Sequence, residues 1–337
     1  MPPRPARPLR MLLLGLVLLP AFGQTLRFGV IGDSGSGDAR QLAVAKQMEA
    51  VNRAHHWEFV LMLGDNIYDD GNPRDFDRKF KNVYRNLMNA GVKFHATLGN
   101  HDRLSPRGRR GMAEVEDEAF GFVGRQDEYV LAAGSKIEGK ALARFICLNS
   151  DAWMEELRVY KKIEPRLKRL RGWLETSDQY HWNFVFFHNP IYSFDFSSVL
   201  GRFTGRYGHG SEESLRRILE SEFRGKVDVV LSGHEHFYQK IKPQHGIHYF
   251  VSGGGSKIRR GVDRRHPQVE FAAEALHFMD FEVTPDQLTY AAISDQGKQI
   301  HSGVITKQAP PTGASNHRGP PGPLPLNVDV PLMYDLR

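Results

Sequence analysis

Six short apolar runs constrain the fold of this chain more than any other feature. They are LRFGVIG (26–32), FVLML (59–63), KFHATLG (93–99), ARFICLN (143–149), NFVFFH (183–188) and VDVVLSG (227–233). Each is short, rich in β-branched or aromatic residues, and most end at a glycine, asparagine or histidine, the pattern of a buried strand. Between them, 38–54, 75–89, 158–176 and 211–223 carry apolar residues at helical spacing, with Ser211 as the expected N-cap of the last. Strand and helix in repeated alternation imply an α/β architecture. After 245 the helices stop: IHYFVSGG, LHFMDFEVTPDQLTYAAIS and a final GVIT read as strands, so a second or mixed sheet is required. Residues 101–130 read as a long loop with at most a short helix.

The ends of the chain differ from its middle. Residues 1–23 place three arginines before the apolar run MLLLGLVLLP, then small residues at Ala21 and Gly23. That order is a secretory signal peptide cut near Gln24, and the run is too short for a stable membrane anchor. The expected site of action is therefore secreted or periplasmic, and the expected catalytic domain is 24–307. From 308 the sequence is proline-rich and aperiodic, an extended or disordered tail. The net charge of +6 falls to +3 once Arg4, Arg7 and Arg10 leave with the leader. So small an excess does not make a nucleic-acid binder. The one cysteine, Cys147, sits inside a strand-like run and rules out an internal disulfide. The oligomeric state is not legible.

Ligands gather at strand ends in open α/β sheets, and this chain collects an unusual set there. GDSG places Asp33 after the first run, GDNIY places Asp65 and Tyr68 after the second, and GNHD supplies Asn100, His101 and Asp102. FFHN gives His188, and GHEH gives His234 and His236. Each fragment alone is weak; five in series are specific. Carboxylate, amide, phenol and imidazole suit iron, zinc or manganese better than calcium or a thiolate site. Two ions about 3.5 Å apart, bridged by a shared carboxylate, can hold a phosphate ester for in-line attack by hydroxide. GDSGSGD lacks both dinucleotide-binding spacing and the lysine of a P-loop.

In these motifs, over about 26–256, the chain resembles the calcineurin-like metallophosphoesterases and, within them, the purple (tartrate-resistant) acid phosphatases. The resemblance implies a four-layer α/β/β/α sandwich of two mixed sheets flanked by helices. It assigns one ion to Asp33, Asp65, Tyr68 and His236, and a second to Asp65, Asn100, His188 and His234. His101 would face the substrate, as hydrogen-bond donor or leaving-group acid. The wider superfamily has a histidine where this chain has Gly35, and Tyr68 stands in as a phenolate suited to Fe(III), with Fe(II), Zn(II) or Mn(II) as its companion. The implied reaction is hydrolysis of small phosphate monoesters by a metal-bound hydroxide. Phosphodiester or nucleotide hydrolysis at the same metals is the alternative, and a non-catalytic binding protein on this scaffold is a third reading.

Two departures accompany the resemblance. Asn149 stands where the family commonly has aspartate, and Asn189 where the purple enzymes often have tyrosine. His209, in GRYGHGS, is a further candidate for contact with the substrate phosphate, and RLSPRGRRG (103–111) is a basic cluster beside GNHD.

Overall fold

A computed structural model describes residues 25–103, 120–121, 127–160, 162–196 and 210–307. The expected leader, the tail from 308, His209 and residues 104–111 of the basic cluster lie outside these described residues.

In chain order the first half runs β1 (Leu26–Ile31), α1 (Ala39–His55), β2 (Phe59–Met62), α2 (Asn82–Asn89), β3 (Lys93–Ala96) and the two-residue β4 (Phe120–Gly121). A hairpin follows, β5 (Tyr129–Ile137) and β6 (Lys140–Cys147), then α3 (Ser150–Glu155), α4 (Glu164–Leu174), β7 (Tyr180–Phe187), α5 (Glu213–Phe223) and β8 (Val229–Ser232). The chain closes with six strands: β9 (Tyr238–Gln244), β10 (Ile247–Ser252), β11 (Val269–Ala273), β12 (His277–Val283), β13 (Gln287–Ser294) and β14 (Gln299–Thr306).

These strands form two seven-stranded sheets, ordered β14-β13-β12-β1-β2-β3-β4 and β11-β9-β10-β8-β7-β6-β5. Both are mixed. In the first, β1 to β4 run parallel while β12 meets β1 antiparallel. In the second, β6, β7, β8 and β10 are parallel and the flanking pairs antiparallel. Central parallel strands are covered on both faces, which is why β2 and β8 are buried at every residue. The sheets meet on an aromatic layer: Phe28 stacks on Phe281 at 5.0 Å and meets Phe145 and Phe184 edge-on at 5.1 and 5.6 Å. A second apolar cluster joins the other face of β6, β7 and β8 to α3, α4 and α5 through Leu170, Leu174, Leu215 and Phe223. Two mixed sheets flanked by helices are the expected sandwich.

Three local readings need correction. Ser211 does not cap α5; its hydroxyl is engaged with the Ser193 backbone, and Glu212 holds the cap position without a side-chain bond. The span 158–176 is not one helix, because a π turn (Glu156–Tyr160) precedes α4 and Pro165 sits in the first turn of α4, where it starts a helix rather than continuing one. The 101–130 segment has the short helical turn allowed for it, at His101–Arg103, but also holds strand residues, in β4 and at the start of β5. The strands β5, β9 and β11 carry mixed burial and no continuous apolar run.

Candidate metal centre

Every expected ligand lies just beyond the C-terminal end of a strand or in the loop that follows, and the loops are held backbone to backbone. Asp33 N–H donates to the Gly64 carbonyl at 3.0 Å, Gly35 N–H to the Asp65 carbonyl at 3.1 Å, and Tyr68 N–H to the Gly35 carbonyl at 2.8 Å. Gly35 is thereby explained. A Cβ there would lie 2.1 Å from the Asn66 carbonyl oxygen, so the close seam that brings in Tyr68 excludes any side chain at 35. Gly64 has φ +91°, and a Cβ on it would meet His188 Nδ1 at 2.6 Å. Asp33, Asp65 and His234 also adopt left-handed backbone, at φ 56°, 53° and 69°. Such conformations cost of order 1–2 kcal/mol each and persist where the surroundings dictate them, commonly at functional sites.

The donor atoms fall into two groups. In one, the Tyr68 hydroxyl lies 3.2 Å from both Asp33 Oδ1 and His236 Nε2, and His236 Nε2 lies 3.3 Å from Asp33 Oδ1. In the other, His188 Nε2 is 3.0 Å from Asn100 Oδ1, 3.1 Å from His234 Nδ1 and 3.4 Å from Asp65 Oδ1. Asp33, Asp65 and His188 present atoms within 4.8 Å of one another and could hold a metal ion. The structure thus brings together all seven residues named from the sequence as ligands.

The chemistry of this set fits a cation. His188 Nδ1 lies 2.8 Å from the Leu63 carbonyl and donates to it, which turns the Nε2 lone pair toward two oxygen acceptors, Asn100 Oδ1 and Asp65 Oδ1. A carbonyl on the far nitrogen is the usual way to fix a ligating imidazole. Lone pairs facing lone pairs in a buried space require a proton or a metal between them. Burial disfavours the imidazolium, yet the Asp65 and Asp33 carboxylates outweigh it and raise His188 to about 9. Burial, then the Asp33 and Asp65 charges, push the Tyr68 phenol well above its ordinary value. A Tyr68 phenolate therefore needs a cation in the same cavity.

Residues beyond the ligands hold the arrangement. Asp102, whose role was not legible in the sequence, is fully buried and accepts the N–H groups of Asn66, Ile67 and Gly99 at 3.0–3.1 Å, with the Asn66 amide at 2.8 Å. It ties the GDN loop to the GNH loop. Glu235, between the two histidines, accepts from Gly210 N–H and pairs with Arg259. His101 N–H donates to Asp65 Oδ1 at 2.9 Å, and its Nδ1 sits 2.7 Å from the Asp69 carbonyl; among the described residues its Nε2 makes no hydrogen bond. Asn149 caps α3 through Ala152 N–H, and Asn189 exchanges bonds with the Ser150 hydroxyl; both are structural contacts. Cys147 is buried in β6, as its strand context implies.

Metal-free protein carries a pH signature with a definite sign. His188, raised to about 9, contributes stability that is complete below about pH 6.5 and is lost as pH rises through 9. Burial also raises Asp102 and Glu235 to about 7, which acts in the same direction up to pH 7. Buried His95, His248 and His277, lowered to about 4, act oppositely but only below about 6.5. Lys240, lowered to about 8 by burial, opposes only above 8. Chelator-treated protein should therefore lose roughly 2 kcal/mol between pH 6.5 and 8 in urea unfolding, about 1.4 kcal/mol per proton per unit. Metal-loaded protein should not, and a rise over that window would contradict the charge arrangement.

Comparison with known proteins agrees with the geometry. The family model described as calcineurin-like phosphoesterase matches residues 26–238. Purple acid phosphatase 7 of Arabidopsis thaliana is 26% identical over 85% of this chain and 87% of its own length. The tartrate-resistant acid phosphatase type 5 of Sus scrofa is 23% identical over 84% and 88%. Among solved structures, the fold is shared with GAP50, the anchor in the inner membrane complex of Plasmodium, with a TM-score of 0.73, 18% identity, and coverage of 86% of this chain and 90% of that one. It is also shared with the purple acid phosphatase PPD1 from yellow lupin (Lupinus luteus) seeds, with a TM-score of 0.64, 16% identity, and coverage of 84% and 54%. With the family model matched through every strand end that carries a ligand candidate, the chain belongs to the calcineurin-like phosphoesterase family and is a metal-dependent phosphatase.

Proposed function

We propose that this chain hydrolyses small phosphate monoesters, as an acid phosphatase-like enzyme with two metal ions. Asp33, Asp65, Tyr68 and His236 would hold one ion, read as Fe(III). Asp65, Asn100, His188 and His234 would hold the other, read as Fe(II), Zn(II) or Mn(II). The observation that carries this reading is the His188 imidazole, fixed by the Leu63 carbonyl at 2.8 Å with its Nε2 among the other ligand candidates Asn100 Oδ1, His234 Nδ1 and Asp65 Oδ1. Bound there, the ions would offset the charge of the phosphate and acidify a coordinated water, a trivalent ion more strongly than a divalent one, so the optimum should lie below neutral pH.

The residues around that centre have separate tasks. His101, whose Nδ1 is taken up by the Asp69 carbonyl and whose backbone holds it beside Asp65, offers Nε2 to carry the proton that the departing alkoxide needs. The edge of its ring against Tyr68, with centroids 4.7 Å apart, fixes its orientation. Asp102 keeps Asn100 and Asp65 in register. An anchor protein shares this fold, so the sandwich does not decide for catalysis; the complete donor set supports it.

His101→Ala should lower the rate on an alkyl monoester by about a hundredfold or more, the usual worth of a general acid. On an aryl monoester, whose leaving group needs no proton, the loss should be much smaller. Equal losses on both would remove His101 from that role, and a diester hydrolysed faster than either monoester would overturn the substrate class.

A further inference from the structure

The loop after β10 delivers Lys257 to the face of Tyr68. Its ammonium lies 3.3 Å from the ring centroid, directly over the π system. Both flanks of the loop are pinned to the metal centre. Gly255 N–H donates to the Gly32 carbonyl at 2.9 Å, the Ser256 hydroxyl to the Asp33 carbonyl at 2.7 Å, and Arg259 N–H to the His236 carbonyl at 2.8 Å. The lysine therefore hangs between the backbones of two residues whose side chains touch the Tyr68 hydroxyl. It is half-buried, and among the described residues no carboxylate pairs with it; the charges of Asp69, Asp65 and Asp33 act on it without an ion pair. A half-buried cation with an aromatic face as its partner is placed to act on that face.

We propose that Lys257 is a positioning residue for Tyr68 that stabilises its phenolate through the ring and sets the energy of its charge transfer to the metal. An ammonium over an aromatic face attracts the electron-rich form of the ring more than the electron-poor form. Moving an electron from phenolate to metal leaves the ring electron-poor beneath a cation, so the transition costs more energy with Lys257 present. The inference rests on Tyr68 binding Fe(III), but not on the substrate.

The test is the visible spectrum of the full-length, iron-loaded protein, with Lys257→Met, Lys257→Gln and Lys257→Arg matched to wild type in metal content and far-UV circular dichroism. Both neutral variants should shift the band to longer wavelength, by roughly 10–30 nm if the cation–π attraction is of ordinary size. Lys257→Arg should keep most of the wild-type position, and Lys46→Met, on α1, should change nothing. A band that does not move in the neutral variants overturns the proposal while leaving the Tyr68 reading intact; an unmoved band with a raised KM would make Lys257 a substrate contact instead. Iron-loaded wild type with no band at all would overturn both.

Discussion

Asp65→Asn should abolish phosphatase activity, by roughly a thousandfold or more, and should leave the protein folded. Its carboxylate is almost wholly buried, with Oδ1 2.9 Å from the His101 N–H and 3.4 Å from His188 Nε2. Its charge also acts on Tyr68, in the other group of donors. It is the side chain proposed to serve both ions. Several kcal/mol of charge stabilisation at about 1.4 kcal/mol per tenfold gives the expected loss. Asparagine keeps the shape and the oxygen that receives the His101 N–H, so packing survives while the charge is lost. In metal-free protein the substitution removes the carboxylate that most favours the His188 imidazolium but also relieves its repulsion of buried Asp102, so the two effects offset and the melting temperature should move little. A large fall in the melting temperature of the metal-free variant would mark Asp65 as structural instead. Loss of any other single ligand should be milder, because only one group of donors is damaged.

Tyr68→Phe should remove all visible colour while the ring remains. The phenylalanine keeps the edge contact with His101 and the face beneath Lys257 and loses only the hydroxyl near Asp33 and His236. If that oxygen is the phenolate donor, iron-loaded wild type is pink to purple and the variant is colourless at equal iron content. A band that persists in Tyr68→Phe assigns the colour elsewhere and returns Tyr68 to the role of a packed aromatic. Gly35 makes the outcome sharper, because the 2.1 Å approach of its missing Cβ to Asn66 leaves no room for a histidine to replace the lost ligand.

The central strands were legible because parallel strands covered on both faces are apolar along nearly their whole length, as Phe59–Met62 and Val229–Leu231 are. The outer strands were not. β5 is exposed along much of its length and carries small and polar residues, and β9, just after the histidine motif, interrupts its apolar residues with lysines, glutamines and a proline. The ligand candidates could be read because each follows a strand closely and the chemistry of one strand end constrains the next. Asp102 could not, although it stands in the same motif, since three of its bonds reach Asn66 and Ile67 from 35–36 positions away. Lys257 was visible only as the end of a glycine-rich stretch; its meaning comes from the Tyr68 ring, which no local pattern specifies.

Elemental analysis of the protein purified from its native host without added metal, read together with its visible spectrum, addresses the central claim most directly. Two equivalents of metal per chain, at least one of them iron, in a protein that is coloured and loses activity on chelation, is the result expected from the paired donor groups around Asp33 and His188. One equivalent or none, in a colourless protein whose phosphatase activity survives chelation, would contradict it.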